Sequence, residues 1–379
     1  MRQYFLIMLV LTFVWTMVGC QTQEVTDIAS ALGIGLDLNE EKISLSVQLA
    51  KPINPQQSQE NPSLIALATG ATASEAGRNL SLRLPRKTLW SHANLLLLGE
   101  NLAKQDLGLV MDMLVRNIDI RKSSLMYITK GYTPQEIMQA ETPLVQYSAL
   151  GLQDLMQTQE QQLGIFVPLN LGEFIQRLST PGTDPLVPQV TLEKQGDKMV
   201  PTLKGAAAFR GRKMVGSLNE DEVRGYRFLL PGSKKGGILI VPSPVNPERT
   251  ITLEITRFQS KSQAIVSGDS IRMQVEIDVE GNFYDHNSPG QVLTPEHLKT
   301  IEKLANKEIM RQCNASIARA QDLKSDIFGW GRQVEISSPQ TFKKLVPDWD
   351  EIFSEIKAEI KVNYSLRRTY LADRNFTFR

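Results

Sequence analysis

Three stretches in the last third of the chain alternate apolar and polar residues with period two: Ile251/Leu253/Ile255, Ile271/Met273/Val275/Ile277/Val279 and Ile356/Ala358/Ile360/Val362/Tyr364/Leu366. Alternation puts all the apolar side chains of an extended segment on one side, so each stretch predicts a half-buried β-strand. Between the second and third, Leu298, Ile301, Ala305, Ile309, Cys313, Ala320, Leu323 and Ile327 recur near helical spacing,. Thr294 and Pro295 stand in front of that run as cap and first-turn proline,. The pattern predicts one helix of about 50 Å, laid across the apolar face of an antiparallel sheet.

The first half reads differently. Gly33 to Leu38 and Lys42 to Leu49 predict an opening hairpin about Asn39-Glu40-Glu41, and Pro52 to Ser63 a surface loop,. Leu95 to Leu98 is a short, continuously apolar strand, followed by a helical stretch from Glu100 to Arg116 and a further strand from Ser124 to Thr129,. Thr133-Pro134 opens a helix, and a second one is expected from Leu144 to about Gln157,. Prolines and glycines cluster from Pro181 to Pro201, which marks an exit from the first domain near residue 190,. Beyond it, Lys204 to Arg210 and Lys213 to Val215 predict a hairpin. Ser217 with Glu220 predicts a capping box, Gly237 to Val241 a strand, and Pro242, Pro244 and Pro247 a closing linker,. The expectation is an α+β protein of three mixed α/β domains, 20–190, 191–247 and 248–379, the last an antiparallel sheet with a long helix packed on one face.

Residues 1–19 stand apart. Arg2 precedes an uncharged apolar run from Tyr4 to Val18 that ends at Gly19-Cys20. The run is shorter than the roughly 20 residues of a membrane-spanning helix and stops at small residues, as a cleavable leader does. It resembles a lipobox, in which a peptidase cuts before Cys20 and the thiol carries acyl chains. Cys20 is therefore the expected lipidation site, and the mature chain is expected at a membrane surface.

Composition narrows the chemistry. Lys plus Arg (42) balance Asp plus Glu (41) in 379 residues, so no basic field favours nucleic acid,. With Cys20 acylated, Cys313 is the one remaining thiol and no internal disulfide forms,. His92, His286 and His297 lack the spacing of a helical zinc site,. Cys313 lies on the apolar stripe of the long helix and reads as a packed core residue. Gly33-Ile34-Gly35 lacks the third glycine of a dinucleotide fingerprint and reads as relief of crowding beside a strand. Gly232-Ser-Lys-Lys-Gly236-Gly237 fails as a phosphate loop because Ile238 follows, and reads as a flexible basic turn,. Asp348-Trp349-Asp350-Glu351 and Asn219-Glu220-Asp221-Glu222 read as acidic first turns of helices,. No catalytic, cofactor-binding or metal site is expected.

Several segments, in this order behind Cys20, carry a family resemblance: Ala31 to Leu38 with Lys42 to Pro52; His92 to Ala103; Leu114 to Arg121 with Tyr127 to Gly131; Lys204 to Arg210 with Met214 to Glu220 and Gly225; Asp326 to Gly331; Asp348-Trp349-Asp350; and Ile360 to Thr369. Together they resemble the Ger(x)C family, the lipoprotein C subunits of spore nutrient-germinant receptors. The family usually has Trp-Asp after the lipidated cysteine, where this chain has Gln21-Thr22. The resemblance implies a three-domain protein without enzyme activity, on the outer face of the spore inner membrane. It also implies integral-membrane A and B subunits as partners, a role in receptor assembly or signalling, and no direct small-molecule ligand. A lipid-tethered extracytoplasmic solute-binding protein is the alternative class, recognisable by two α/β lobes closing on a pocket.

Overall fold

The computed structural model describes Gln3 and residues 28–51, 63–268, 270–287 and 294–368. The expected surface loop from Pro52 falls outside the described residues up to its last position, Ser63, which already belongs to a strand. Fourteen strands are described: β1 (Ile28–Asn39), β2 (Lys42–Ala50), β3 (Ser63–Gly70), β4 (Lys87–Leu89), β5 (Leu95–Gly99), β6 (Leu125–Thr129), β7 (Leu186–Gln195), β8 (Lys198–Arg210), β9 (Lys213–Leu218), β10 (Gly232–Lys234), β11 (Ile238–Pro242), β12 (Thr250–Ser267), β13 (Ser270–His286) and β14 (Lys357–Arg368). Eleven α-helices are described with them: α1 (Ala73–Asn79), α2 (Glu100–Gln105), α3 (Gly108–Arg116), α4 (Pro134–Gln139), α5 (Ser148–Gln162), α6 (Leu171–Ser179), α7 (Glu220–Leu229), α8 (Pro295–Asp322), α9 (Trp330–Ser337), α10 (Pro339–Leu345) and α11 (Trp349–Glu355).

The described strands form two sheets. The first has nine strands in the order β3-β2-β1-β5-β6-β7-β8-β9, with β4 beside the start of β1. Its centre, β1-β5-β6-β7, is parallel, and antiparallel hairpins close both sides. Parallel centres are covered on both faces, which is why Leu95 to Leu98 read as an unbroken apolar run. Leu95 and Leu97 enter one core with α4 and α5, while Leu96 and Leu98 enter a second with α1, α2, α3 and α6. The second sheet has five strands, β10-β12-β13-β14 with β11 also on β12. Its apolar face joins the first of those cores, so a single hydrophobic body runs between the two sheets.

Several expectations change here. The mixed α+β class and the long helix on the final sheet are present, but that sheet is itself mixed: β14 pairs parallel to β13, from Arg272↔Lys357 onward. Alternation within a strand fixes which face is buried and carries no information about its neighbour's direction. The 28 residues of α8, about 42 Å of helix, carry the chain back along the sheet, so β14 starts at the end where β13 started. Residues 191–247 have no sheet of their own: β7 runs through position 190, β7 to β9 complete the first sheet, and β10 and β11 belong to the second. The proline cluster does not interrupt the sheet, because Pro188 and Pro201 sit within β7 and β8 themselves.

Local signals hold with shifts. Thr133, with Glu136, and Thr294, with His297, form capping boxes at the expected helix starts. The third box uses Asn219 and Glu222 rather than Ser217 and Glu220, because β9 continues to Leu218. The stretch from Glu100 splits into α2 and α3, and the helix expected from Leu144 begins at Ser148, since Leu144 has φ +66°. The long helix stops at Asp322; Leu323 caps it and Ile327 is buried beyond its end.

Candidate functional site

The turn after α8 ties segments of the first sheet to the helices that follow α8. Lys324, at φ +50°, redirects the chain, and Ser325 Oγ donates to Phe209 O on β8. Asp326 follows, 2 % exposed. Its backbone N–H donates to Asp184 Oδ2 (2.9 Å), while Asp184 N–H donates to Asp326 O (2.9 Å). The Asp326 carboxylate accepts three further bonds: Oδ1 from Trp330 N (3.0 Å), and Oδ2 from Gly331 N (2.8 Å) and Trp349 Nε1 (3.0 Å). Asp184 Oδ1 takes Gly211 N at 2.9 Å. These bonds tie the start of α9, the first turn of α11, the loop before β7 and the β8–β9 turn to two side chains.

Burial raises both acids. Asp326 is pushed up to about 7, opposed by the Gly331, Trp330 and Trp349 donors and reinforced by Asp184. Asp184 is pushed up to about 6, opposed by the Gly211 and Asp326 N–H groups. Aromatic rings surround the pair: Phe328 stacks on Trp330 with centroids 5.0 Å apart, and Trp330 meets Phe353 at 5.6 Å. Arg177 on α6 closes the junction, donating to Ile327 O (2.9 Å), Asp184 O (3.2 Å) and Tyr226 Oη (3.3 Å). A β-carbon on Gly331 would lie 2.5 Å from Gly182 Cα, so two backbones approach here as only glycine permits,.

This arrangement fastens neighbouring segments to one another. Every oxygen of the pair is occupied by an N–H donor, and neither carboxylate lines the adjoining cleft of about 740 Å³ between Gln176, Tyr226, Phe328 and Arg332. A second clamp lies nearby: Arg227, 1 % exposed, donates to Lys235 O (2.7 Å) and Gly236 O (3.3 Å) and sits 5.1 Å over the Phe258 ring. Its burial lowers it to about 10. The turn Gly232 to Gly237, expected to be flexible, is thereby fixed against the end of α5, where Gly237 N bonds Gln161 O at 3.2 Å.

Two family models match this chain. One, described as spore germination protein N-terminal domain, covers residues 21–192, and the other, described as spore germination B3/GerAC like, C-terminal, covers residues 204–370. The chain belongs to this GerAC family of spore germination proteins. Spore germination protein KC of Bacillus subtilis (strain 168) is 24 % identical over 98 % of this chain and 97 % of its own length. Spore germination protein B3 from the same organism is 23 % identical, with 92 % and 93 % covered. The crystal structure of the GerBC protein matches with a TM-score of 0.59 at 19 % identity, covering 88 % of this chain and 96 % of that one, and so shares its fold.

In this GerAC chain the residues singled out from sequence are not brought together. Cys20 lies outside the described residues. Cys313 is fully buried against Gly225 O, its thiol pushed up by desolvation. His92 ends a 3-10 turn, His286 Nε2 bonds Ser243 Oγ (2.8 Å) at the end of β13, and His297 Nδ1 accepts the Thr294 N–H (3.1 Å) in its capping box. Among the described residues no three His, Cys, Asp or Glu side chains form a group that could hold a metal. Gly35 lies under α4, where a β-carbon would be 2.5 Å from Pro134 Cβ. In the Asp348–Glu351 cluster it is Trp349 that reaches the junction, while Asp350 and Glu351 face Arg210 and Lys324.

Sequence reading missed Asp184 and Asp326. The available signal was slight: Asp326 stands directly before the apolar pair Ile327-Phe328, a place where an unpaired charge is too costly to bury.

Proposed function

We propose that this GerAC-family chain is the lipid-anchored C subunit of a spore nutrient germinant receptor. In this reading it acts beside integral-membrane A and B subunits, on the outer face of the spore inner membrane, in receptor assembly or signalling, and carries out no reaction itself. The observation that supports the reading best is positional: the N-terminal family match begins at residue 21, directly after Cys20, where the apolar leader ends. Among the described residues no helix is long and apolar enough to cross a membrane; in this reading acyl chains on Cys20 provide the attachment. Two or three of these, at about 0.8 kcal/mol per buried CH₂, give a stable anchor on a bilayer.

The fold favours this over a tethered solute-binding protein. Two lobes that close on a ligand need separate cores and a hinge, whereas here one core runs between the sheets and Asp184, Asp326 and Arg227 clamp them. The test is Cys20→Ala in the native host. Release of the chain from spore membranes together with a weakened nutrient response is the expected result; normal retention with a normal response overturns the proposal.

A further inference from the structure

The end of the first sheet that holds the start of β1 has a composition of its own. Ile28 pairs with Lys87, Leu49 with Leu64 and Ala50 with Ser63, which sets the start of β1, the end of β2, and the starts of β3 and β4 side by side. A groove of about 380 Å³ opens there, with Ile28, Leu49, Lys51, Leu64, Leu84 and Arg86 in its lining. Leu64 is 41 % exposed, and Arg83, Pro85, Arg86 and Lys87 are exposed beside it. No acidic residue occurs from Ala76 to Gly99. Neither Arg86 nor Lys87 forms an ion pair among the described residues, whereas most other exposed arginines around the fold are matched with acids. The opposite end of the same hairpin carries two acids to one base: Glu40 and Glu41 are exposed at the turn beside Lys42. The 12 residues of β1 separate the two ends by about 35 Å.

We propose that this basic, apolar-grooved end is the face that lies on the membrane, and that it docks on anionic phospholipid headgroups. The proposal rests on acylation of Cys20. Ile28 lies eight positions after Cys20, and eight steps of extended chain span at most about 29 Å. So short a tether keeps this end within reach of the bilayer at high effective concentration. Arg86 and Lys87 then meet phosphate groups, Leu64 and Leu84 sit at the level of the headgroups, and Glu40 and Glu41 point to solution away from a negatively charged surface. The second sheet, clamped to the first, is thereby held at a fixed height above the bilayer.

The test uses the acylated mature protein reconstituted into vesicles of phosphatidylglycerol and phosphatidylcholine that contain a headgroup-level fluorescence quencher. A single introduced thiol can be labelled selectively, because Cys20 is acylated and Cys313 is fully buried. Leu64→Cys and Glu41→Cys report the two ends, and Pro85→Cys gives a second position at the groove. Strong quenching at 64 and 85 with little at 41 is expected. Replacing Arg86 and Lys87 by Gln is expected to weaken that contact by ~5-fold per charge, with no such change in pure phosphatidylcholine. Equal quenching at both ends overturns the proposal, as does shielding of position 64 that arises only when partner membrane proteins are added. Mass spectrometry of each sample separates the two readings: a missing acyl group refutes the anchor, whereas an acylated chain without the quenching difference refutes this face.

Discussion

In β5 every residue from Leu95 to Gly99 is buried, while in β13 burial alternates, with Ile271, Met273, Val275, Ile277 and Val279 inward and Arg272, Gln274 and Asp278 outward. The first strand sits inside a parallel sheet with helices on both faces; the second belongs to a sheet whose far face meets water. The contrast has consequences for substitution. In the first sheet there is no tolerant side to a central strand, because its two faces feed two different cores. Leu97→Ala and Leu96→Ala should therefore each cost about 2–5 kcal/mol although they point in opposite directions. Urea unfolding of the two variants checks this, and a cost near zero for either one would show that one helical layer is dispensable.

The junction between the sheets is a third environment, polar and buried. Asp326→Asn keeps the size of the side chain, but sets an NH₂ against N–H donors from Trp330, Gly331 or Trp349. A loss of about 2–3 kcal/mol is expected. The wild-type pH dependence has a definite sign. Burial raises Asp326 from 3.8 to about 7 and Asp184 from 3.8 to about 6, so the folded chain holds these protons more tightly than the unfolded chain. Stability contributed by these groups is complete at low pH and falls as pH rises through that window, by about 1–3 kcal/mol between pH 5 and pH 8. Unfolding midpoints at the two pH values should show the fall in the wild type and a shallower one in Asp326→Asn. An unchanged slope would place the titrating group elsewhere.

What could be read from the sequence follows the same division. The alternating strands of the second sheet and the apolar stripe of α8 were legible because burial on one side writes a period into the chain. The direction of β14 was not, since a long helical return can place the next strand either way. The extent of the first sheet was hidden for a related reason: Pro188 and Pro201, read as punctuation, are tolerated inside β7 and β8, whose pairing register shifts between Pro188 and Val190 because β8 carries an extra residue there. Asp326 was quoted only as part of a family segment, because one acid has no period. Its role depends on Asp184, 142 positions earlier.

Helix caps are local and nearly independent of this division. Thr294 Oγ1 accepts the His297 N–H (3.4 Å) and its backbone N–H donates to His297 Nδ1 (3.1 Å) at the exposed start of α8. Thr294→Ala should cost about 1 kcal/mol, well below the core and junction variants, as a urea unfolding midpoint would show. On the far side of α8, the otherwise free edge of β14 is covered by the helix itself: Tyr364 N–H donates to Asn306 Oδ1 (2.7 Å) and Leu366 N–H to Glu302 Oε1 (2.9 Å). That cover removes an open strand edge from the second sheet.

The smallest effect is expected on β13, and it is the sharpest test of the comparison with β5. Gln274 and Met273 are adjacent, yet Met273 is fully buried and Gln274 is exposed between Gln263 and Glu359 of the flanking strands. Met273→Ala should cost about 2–5 kcal/mol, and Gln274→Ala should stay within about 0.5 kcal/mol. Leu96 and Leu97, also adjacent, should show no such asymmetry. Should Gln274→Ala prove as damaging as Met273→Ala in the isolated protein, the outer face of the second sheet would be packed against something, and the one-sided burial that distinguishes it from the first sheet would be lost.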